Sequence, residues 1–204
     1  MTPEKLLQKF RIISEQMTRA ELKVLLEELE RVLQKKVPGD VVELGCYEGT
    51  SALFEARLLQ ALAPEKKLWL YDSFEGLPEK TKEDQSASGE WFKGGELRAS
   101  RARLQKNFVK AALPIPEITR AWFFELDPED LPEEICFAFL DGDFYESIMD
   151  SFKLVWPKMA EGGVIIVDDY QNPALPGAAK AVDEWLKGHP AQLRAEASLA
   201  IIRL

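Results

Sequence analysis

Histidine and cysteine are scarce in this chain: 204 residues include one histidine, His189, and two cysteines, Cys46 and Cys136. A single histidine excludes a His/Cys zinc set. Two cysteines are too few for a disulfide scaffold. Both lie in apolar runs that read as parallel neighbouring strands, Cys46 ending one and Cys136 opening the other. At ~3.3 Å per residue that leaves most of a strand between them, beyond bridging range. They are expected to be buried small hydrophobes in a reducing cytoplasm. Long apolar runs are also missing: none approaches the ~20 residues a membrane helix needs. The first residues, MTPEKLLQKF, carry charges within the opening turns and do not read as a signal peptide. Basic residues are in deficit, 26 Lys and Arg against 35 Asp and Glu, for a formal charge of −9. That balance argues against a nucleic-acid groove, because phosphates are held mainly by Lys and Arg. It leaves room for a small cationic or neutral ligand.

What is present suits one domain with a small extension. An apolar content of 46% excludes a largely disordered chain. Residues 1–37 read as a helical extension and 38–204 as the main domain. In the extension, Leu6, Phe10, Ile13 and Met17 recur at helical spacing, and Leu22, Leu25, Leu26, Leu29, Val32 and Leu33 do the same. Thr18 and Glu21 form a capping box between the two helices, and Pro38-Gly39 stops the second. Each stripe needs cover, either from the main domain or from a second copy in a homodimer. From Asp40 the pattern becomes short apolar runs alternating with helices: VVELGC, KKLWLYD, ITRAWFF, ICFAFLD and GGVIIVDD as strands, SALFEARLLQAL, YESIMDSFKLVWPKMA and GAAKAVDEWLKG as helices, then QLRAE and SLAIIRL as a closing hairpin. Continuous apolar strands alternating with helices mean a parallel sheet covered on both faces. One polar, glycine-bearing segment, residues 79–95, breaks the rhythm yet keeps Trp91 and Phe92. It reads as a lid or as a surface insertion.

In open α/β sheets ligands bind beyond the carboxyl ends of the strands. The residues there are Glu43 to Gly49, Asp72, Asp141-Gly142-Asp143 and Asp168-Asp169. The first strand ends E-x-G-x-x-x-G, whose glycines permit a tight turn and close approach of a ligand to backbone. The spacing differs from a dinucleotide fingerprint, so a pyrophosphate seat is not expected. Asp72 ends the next strand, where a carboxylate can accept both hydroxyls of a ribose. A nucleoside without pyrophosphate, held by a net-negative protein, fits S-adenosylmethionine, whose sulfonium is cationic. Asp141, Asp143, Asp168 and Asp169 converge if their strands are neighbours. Crowded carboxylates raise one another's pKa, and a divalent cation offsets that. All-oxygen ligation favours Mg²⁺, Mn²⁺ or Ca²⁺. The alternative is that each Asp caps the helix or turn that follows it.

The stretches VVELGCYEGTSA, YDSFEGLPE, FLDGDFYES and GGVIIVDDYQNPALPGAAKAVDEW resemble the macrocin O-methyltransferase family, the metal-dependent sugar O-methyltransferases of macrolide and aminocoumarin antibiotic pathways. The resemblance implies a class I methyltransferase fold, Rossmann-like, with a seven-stranded, mostly parallel sheet whose last strand is antiparallel. It places Mg²⁺ at Asp141, Asp168 and Asp169, and the general base at Asp143. It places S-adenosylmethionine at Glu43, Gly45, Gly49, Ser51, Asp72 and Ser73, with the acceptor covered by the segment from Phe92 to Leu97. The chain is shorter at its N-terminus than the antibiotic enzymes, and Phe144 stands where the family often has leucine. Glu125 and Asp127 are candidates for adenine contacts or are exposed turn residues.

The function this implies is Mg²⁺-dependent methyl transfer to a hydroxyl of a sugar or other vicinal diol, on a small molecule or glycoside. Three other readings stand beside it. One is a phenolic acceptor of catechol type. Another is a D-x-D glycosyltransferase built on Asp141-Gly142-Asp143. The third is a binding protein that keeps the fold without turnover.

Overall fold

The computed structural model describes residues 1–87, 89 and 91–204. Ser88 and Glu90, inside the expected lid at 79–95, lie outside the described residues. The strands are β1 (Asp40–Leu44), β2 (Leu68–Asp72), β3 (Glu117–Arg120), β4 (Ile135–Leu140), β5 (Met159–Val167), β6 (Gln192–Glu196) and β7 (Leu199–Arg203). They form one seven-stranded sheet in the order β3-β2-β1-β4-β5-β7-β6. The four pairings among β3, β2, β1, β4 and β5 are parallel, and β7 returns antiparallel between β5 and β6. The helices are α1 (Pro3–Lys9), α2 (Arg19–Gln34), α3 (Thr50–Leu62), α4 (Arg101–Lys110), α5 (Tyr145–Val155) and α6 (Pro176–Gly188). One apolar layer joins α1, α2 and α3 to one face of the sheet; another joins α5 and α6 to the opposite face. β4 is buried along its whole length, as a central strand covered on both sides must be.

The apolar stripe of α2 is covered within the chain: Leu22, Leu25, Leu26 and Leu29 are inaccessible. Its start carries the expected capping box, with Thr18 accepting from the Glu21 N–H and Glu21 accepting from the Thr18 N–H. The first helix is shorter than its periodicity suggests and ends at Lys9. Tertiary contacts override propensity there. The Phe10 ring lies 3.9 Å from the Arg57 guanidinium, and Ser14 Oγ is 2.8 Å from Thr50 Oγ1, tying residues 10–14 to α3 as non-helical chain.

Three other boundaries differ from the sequence reading. The strand expected over ITRAWFF stops at Arg120, because the Glu125 carboxylate accepts from the Trp122 N–H and closes a 3-10 turn. The helix expected from Tyr145 to Ala160 ends at Val155; a 3-10 turn containing Pro157 follows, and β5 begins at Met159. α4 had no expectation at all, since Leu104 and Phe108 are its only buried residues. Both cysteines are free and buried. Burial pushes the Cys136 thiol up to about 11 and raises that of Cys46 as well. No helix among the described residues is long and apolar enough to cross a membrane.

A buried charge joins α2 to the closing hairpin. Glu28 is 1% exposed and accepts from Arg31, Arg194 and Arg203, the last two at 2.8 Å. The three arginines keep partial access to water, which lowers the cost of losing their partner. Glu28→Ala should therefore destabilise the protein by about 1–3 kcal/mol, a fall in Tm of roughly 2–12 °C for a chain of this size. Thermal unfolding followed by circular dichroism checks it.

Candidate functional site

Strand order reverses between β1 and β4, so the crevice beyond their carboxyl ends is the natural ligand site. Gly45 follows β1 with φ +90°, and a Cβ there would sit 1.9 Å from the Asp141 carbonyl oxygen. Only glycine allows β1 and β4 to come this close at their ends. Gly49, at φ +86°, precedes α3, and a Cβ on it would press 2.4 Å from Leu104. Between these glycines the chain turns around one carboxylate. Asp72 Oδ2 accepts from the Cys46 and Tyr47 N–H groups at 3.0 and 2.9 Å, and its Oδ1 accepts from the Phe74 N–H at 2.7 Å. Asp72 thus organises the turn while still facing the cavity.

β4 and β5 pair Leu140 with Val167, so Asp141 and Asp168 emerge side by side. Asp141, Asp143 and Asp169 offer carboxylate oxygens that all lie within 4.8 Å of one another. Asp143 and Asp169 both take left-handed backbone, at φ +59°. That conformation costs about 1–2 kcal/mol for an ordinary residue and is concentrated at functional positions. Asn172 Nδ2 donates to Asp169 Oδ1 at 2.7 Å and fixes its orientation. Asp168 stands behind this group: it is 5% exposed, and its Oδ1 accepts from the Asp169 N–H at 2.9 Å. No Lys or Arg forms an ion pair with any of the four among the described residues. Burial raises the pKa of Asp141, Asp143, Asp168 and Asp169, and mutual repulsion adds to the shift in the first three.

The site residues expected from sequence separate into two groups. Gly45, Asp72, Ser73, Asp141, Asp143 and Asp169 line a cavity of about 380 Å³. Glu43, Gly49, Ser51 and Asp168 do not line it. Glu43 is wholly buried beneath the turn, where its Oε1 accepts from Ser51 Oγ at 2.5 Å. Glu125 and Asp127 also stay out of the cavity and belong to 3-10 turns. The wall beside Asp72 is instead Ala121, Trp122, Phe123 and Phe124, with the Trp122 and Phe124 rings 6.2 Å apart and near-parallel. Reading ITRAWFF as strand hid them. Glu15, Thr18 and Glu21, from the start of α2 and the chain before it, close another side. Their sequence signal was the capping box, which says where a helix starts and nothing about what it borders.

The segment expected as a lid runs along the cavity. Glu79, Thr81, Asp84 and Phe92 line it, flanked by Pro78 and Leu97. Phe92 and Leu97 pack on Leu77, Phe144 and Leu175. The segment is pinned at Asp84, which is buried and accepts from the Tyr145 N–H at 2.7 Å.

A family model described as Macrocin-O-methyltransferase (TylF) matches residues 12–195. The chain belongs to the macrocin O-methyltransferase family. Among its relatives, mycinamicin III 3''-O-methyltransferase of Micromonospora griseorubida is 30% identical over 169 residues, covering 79% of this chain and 65% of that protein. Demethyldecarbamoylnovobiocin O-methyltransferase of Streptomyces niveus is 30% identical over 164 residues, covering 77% of this chain and 62% of that protein. The chain thus spans slightly less than two thirds of the length of these curated relatives. The solved structure of the O-methyltransferase NovP superposes with a TM-score of 0.78 at 27% identity, over 89% of this chain and 78% of that one. The fold of this family member is the expected class I methyltransferase fold, down to the antiparallel return of β7.

The crowding has a stability consequence. A native pKa raised above the ordinary Asp value of 3.8 penalises folding once the unfolded chain ionises. Chelator-treated protein should therefore lose stability as pH rises from about 3.8 through the raised native values. Asp143→Asn should flatten that slope. Tm measured against pH in EDTA for the two proteins checks it.

Proposed function

We propose that this family member is an S-adenosylmethionine-dependent, Mg²⁺-dependent O-methyltransferase, acting on a hydroxyl of a sugar or another vicinal diol of a small molecule. The observation that carries this reading is the group Asp141, Asp143 and Asp169. Three carboxylates within 4.8 Å of one another, without a basic partner among the described residues, sit beside the Asp72-anchored glycine turn. Such a donor set fits a hard divalent cation. Asp141 and Asp169 would hold the ion, with Asp168 behind them. When bound, the ion lowers the pKa of a coordinated hydroxyl.

The chain's own residues supply the rest. Asp143 is placed to accept the hydroxyl proton at its carboxylate, as general base. Asn172 keeps Asp169 aimed at the same point. The turn from Gly45 to Gly49 receives the amino-acid end of the cofactor through backbone, because Gly45 presents no side chain there. Asp72 keeps lone pairs beyond the three N–H groups it accepts, and these can take ribose hydroxyls. The Trp122–Phe124 wall offers an aromatic face for the adenine. Phe92, Leu97, Leu77 and Phe144 form the apolar roof that excludes water. Holding acceptor and methyl donor in line supplies much of the rate.

The cavity chemistry also narrows the acceptor. Ten Asp and Glu residues line the cavity, and no Lys, Arg or His does among the described residues. The lining therefore offers a phosphate no cationic side chain, which speaks for an acceptor recognised through its hydroxyls.

S-adenosylhomocysteine should raise Tm in a concentration-dependent way. EDTA should abolish methyl transfer to a diol or glycoside panel, and Mg²⁺ should restore it. Asp143→Asn should lower kcat by roughly 10²–10⁴-fold while leaving the S-adenosylhomocysteine Kd nearly unchanged. Radiolabelled methyl transfer and calorimetric titration measure the two. Full activity in chelator, or loss of cofactor affinity in Asp143→Asn, contradicts the assignment.

A further inference from the structure

A second set of carboxyl groups lies beneath the glycine turn. Glu43, in β1, and Glu55, on α3, are both wholly inaccessible to solvent. Ser51 and Glu55 are one helical turn apart and face β1 together. Ser51 Oγ donates to Glu43 Oε1 at 2.5 Å. The remaining oxygens, Glu43 Oε2 and both of Glu55, have no N–H or O–H donor among the described residues. They lie within hydrogen-bonding reach of each other. The other ionisable groups that act on the pair are Asp72 on β2, Asp141 after β4 and the Cys46 thiol, and none of these brings a positive charge.

Two ionised carboxylates cannot share such a place. Each carries a heavy desolvation cost, and their repulsion is unscreened by water. One proton removes both difficulties, because a carboxyl O–H can donate to the facing carboxylate oxygen. Glu55 is the better carrier. Glu43 is already supported as an acceptor by Ser51, whereas neither oxygen of Glu55 has any other donor. Burial raises both pKa values, but hydrogen bonding from Ser51 and Glu55 counters the rise at Glu43 whereas Glu43 adds to it at Glu55, in keeping with a proton retained on Glu55.

We propose that Glu55 is a positioning residue that carries a proton, donates it to Glu43, and so clamps the end of β1 to α3 on either side of the cofactor-binding turn. Ser51–Glu43–Glu55 then forms a short buried chain of hydrogen bonds closing the loop Gly45–Gly49 from below. The proposal rests on the reading of that loop as the seat of S-adenosylmethionine.

Infrared spectroscopy and calorimetry test it. The wild-type protein at pH 7 should show a protonated-carboxyl C=O band shielded from solvent exchange, and Glu55→Gln should lose it. The Gln amide can still donate to Glu43, so Glu55→Gln should bind S-adenosylhomocysteine within about twofold of wild type. Glu55→Leu leaves Glu43 Oε2 without a donor and should weaken that binding by about tenfold or more. Wild-type affinity in Glu55→Leu, or a band unchanged in Glu55→Gln, overturns the proposal and leaves the cofactor reading standing. If Glu55→Leu does not fold, the band and the Glu55→Gln affinity decide. A wild-type protein that binds no S-adenosylhomocysteine overturns the cofactor reading first, and this one with it.

Discussion

The contact between Gly45 and Asp141 sets the geometry on which the rest of the site depends. With a Cβ at residue 45 only 1.9 Å from the Asp141 carbonyl oxygen, β1 and β4 could not keep their pairing to the last residue. Their close approach brings the glycine turn and the Asp141-Gly142-Asp143 turn to one edge of the sheet. The pairing of Leu140 with Val167 then brings Asp168 and Asp169 to the same edge. Backbone register, rather than side-chain attraction, assembles a group of like charges that would otherwise separate.

Besides the Glu43–Glu55 pair, the molecule treats its shielded carboxylates in three ways. Glu28 is met by three guanidinium groups and joins α2 to the hairpin. Asp72 and Asp84 are spent on backbone N–H groups and hold loops in shape. Among the described residues, Asp141, Asp143 and Asp169 receive neither a basic partner nor a full set of donors. A chain with 26 basic residues had the means to neutralise them. Leaving them unpaired costs stability, and costs of this kind are characteristic of sites that bind or react.

Much of this was legible in the sequence because it rested on short-range rules. Continuous apolar runs gave the parallel strands, Thr18 and Glu21 gave the start of α2, and acidic residues at the strand ends marked the edge of the sheet where the cavity opens. The resemblance to the macrocin O-methyltransferase family rested on the same stretches. What stayed hidden depended on tertiary contact. α4 buries too little to announce itself. Phe10 leaves the helical pattern for Arg57. The aromatic wall at Trp122–Phe124 looked like the end of a strand until Glu125 was seen to close the turn. Glu55 carried no signal at all, since a glutamate in an amphipathic helix ordinarily faces water, and only the α3–β1 packing turns it inward.

The Gln171 N–H donates to the Ser198 carbonyl, and β7 pairs with β5 along the residues that lead to Asp168. The turn carrying Asp169 is thus tied to the hairpin bend at Ala197-Ser198. During synthesis, a chain that has emerged only as far as α6 already contains every acidic residue of the cluster but lacks the strand that braces one side of it. The acidic edge is therefore braced from the antiparallel side of the sheet as well as by its parallel strands, and the repulsion among these charges is borne by both.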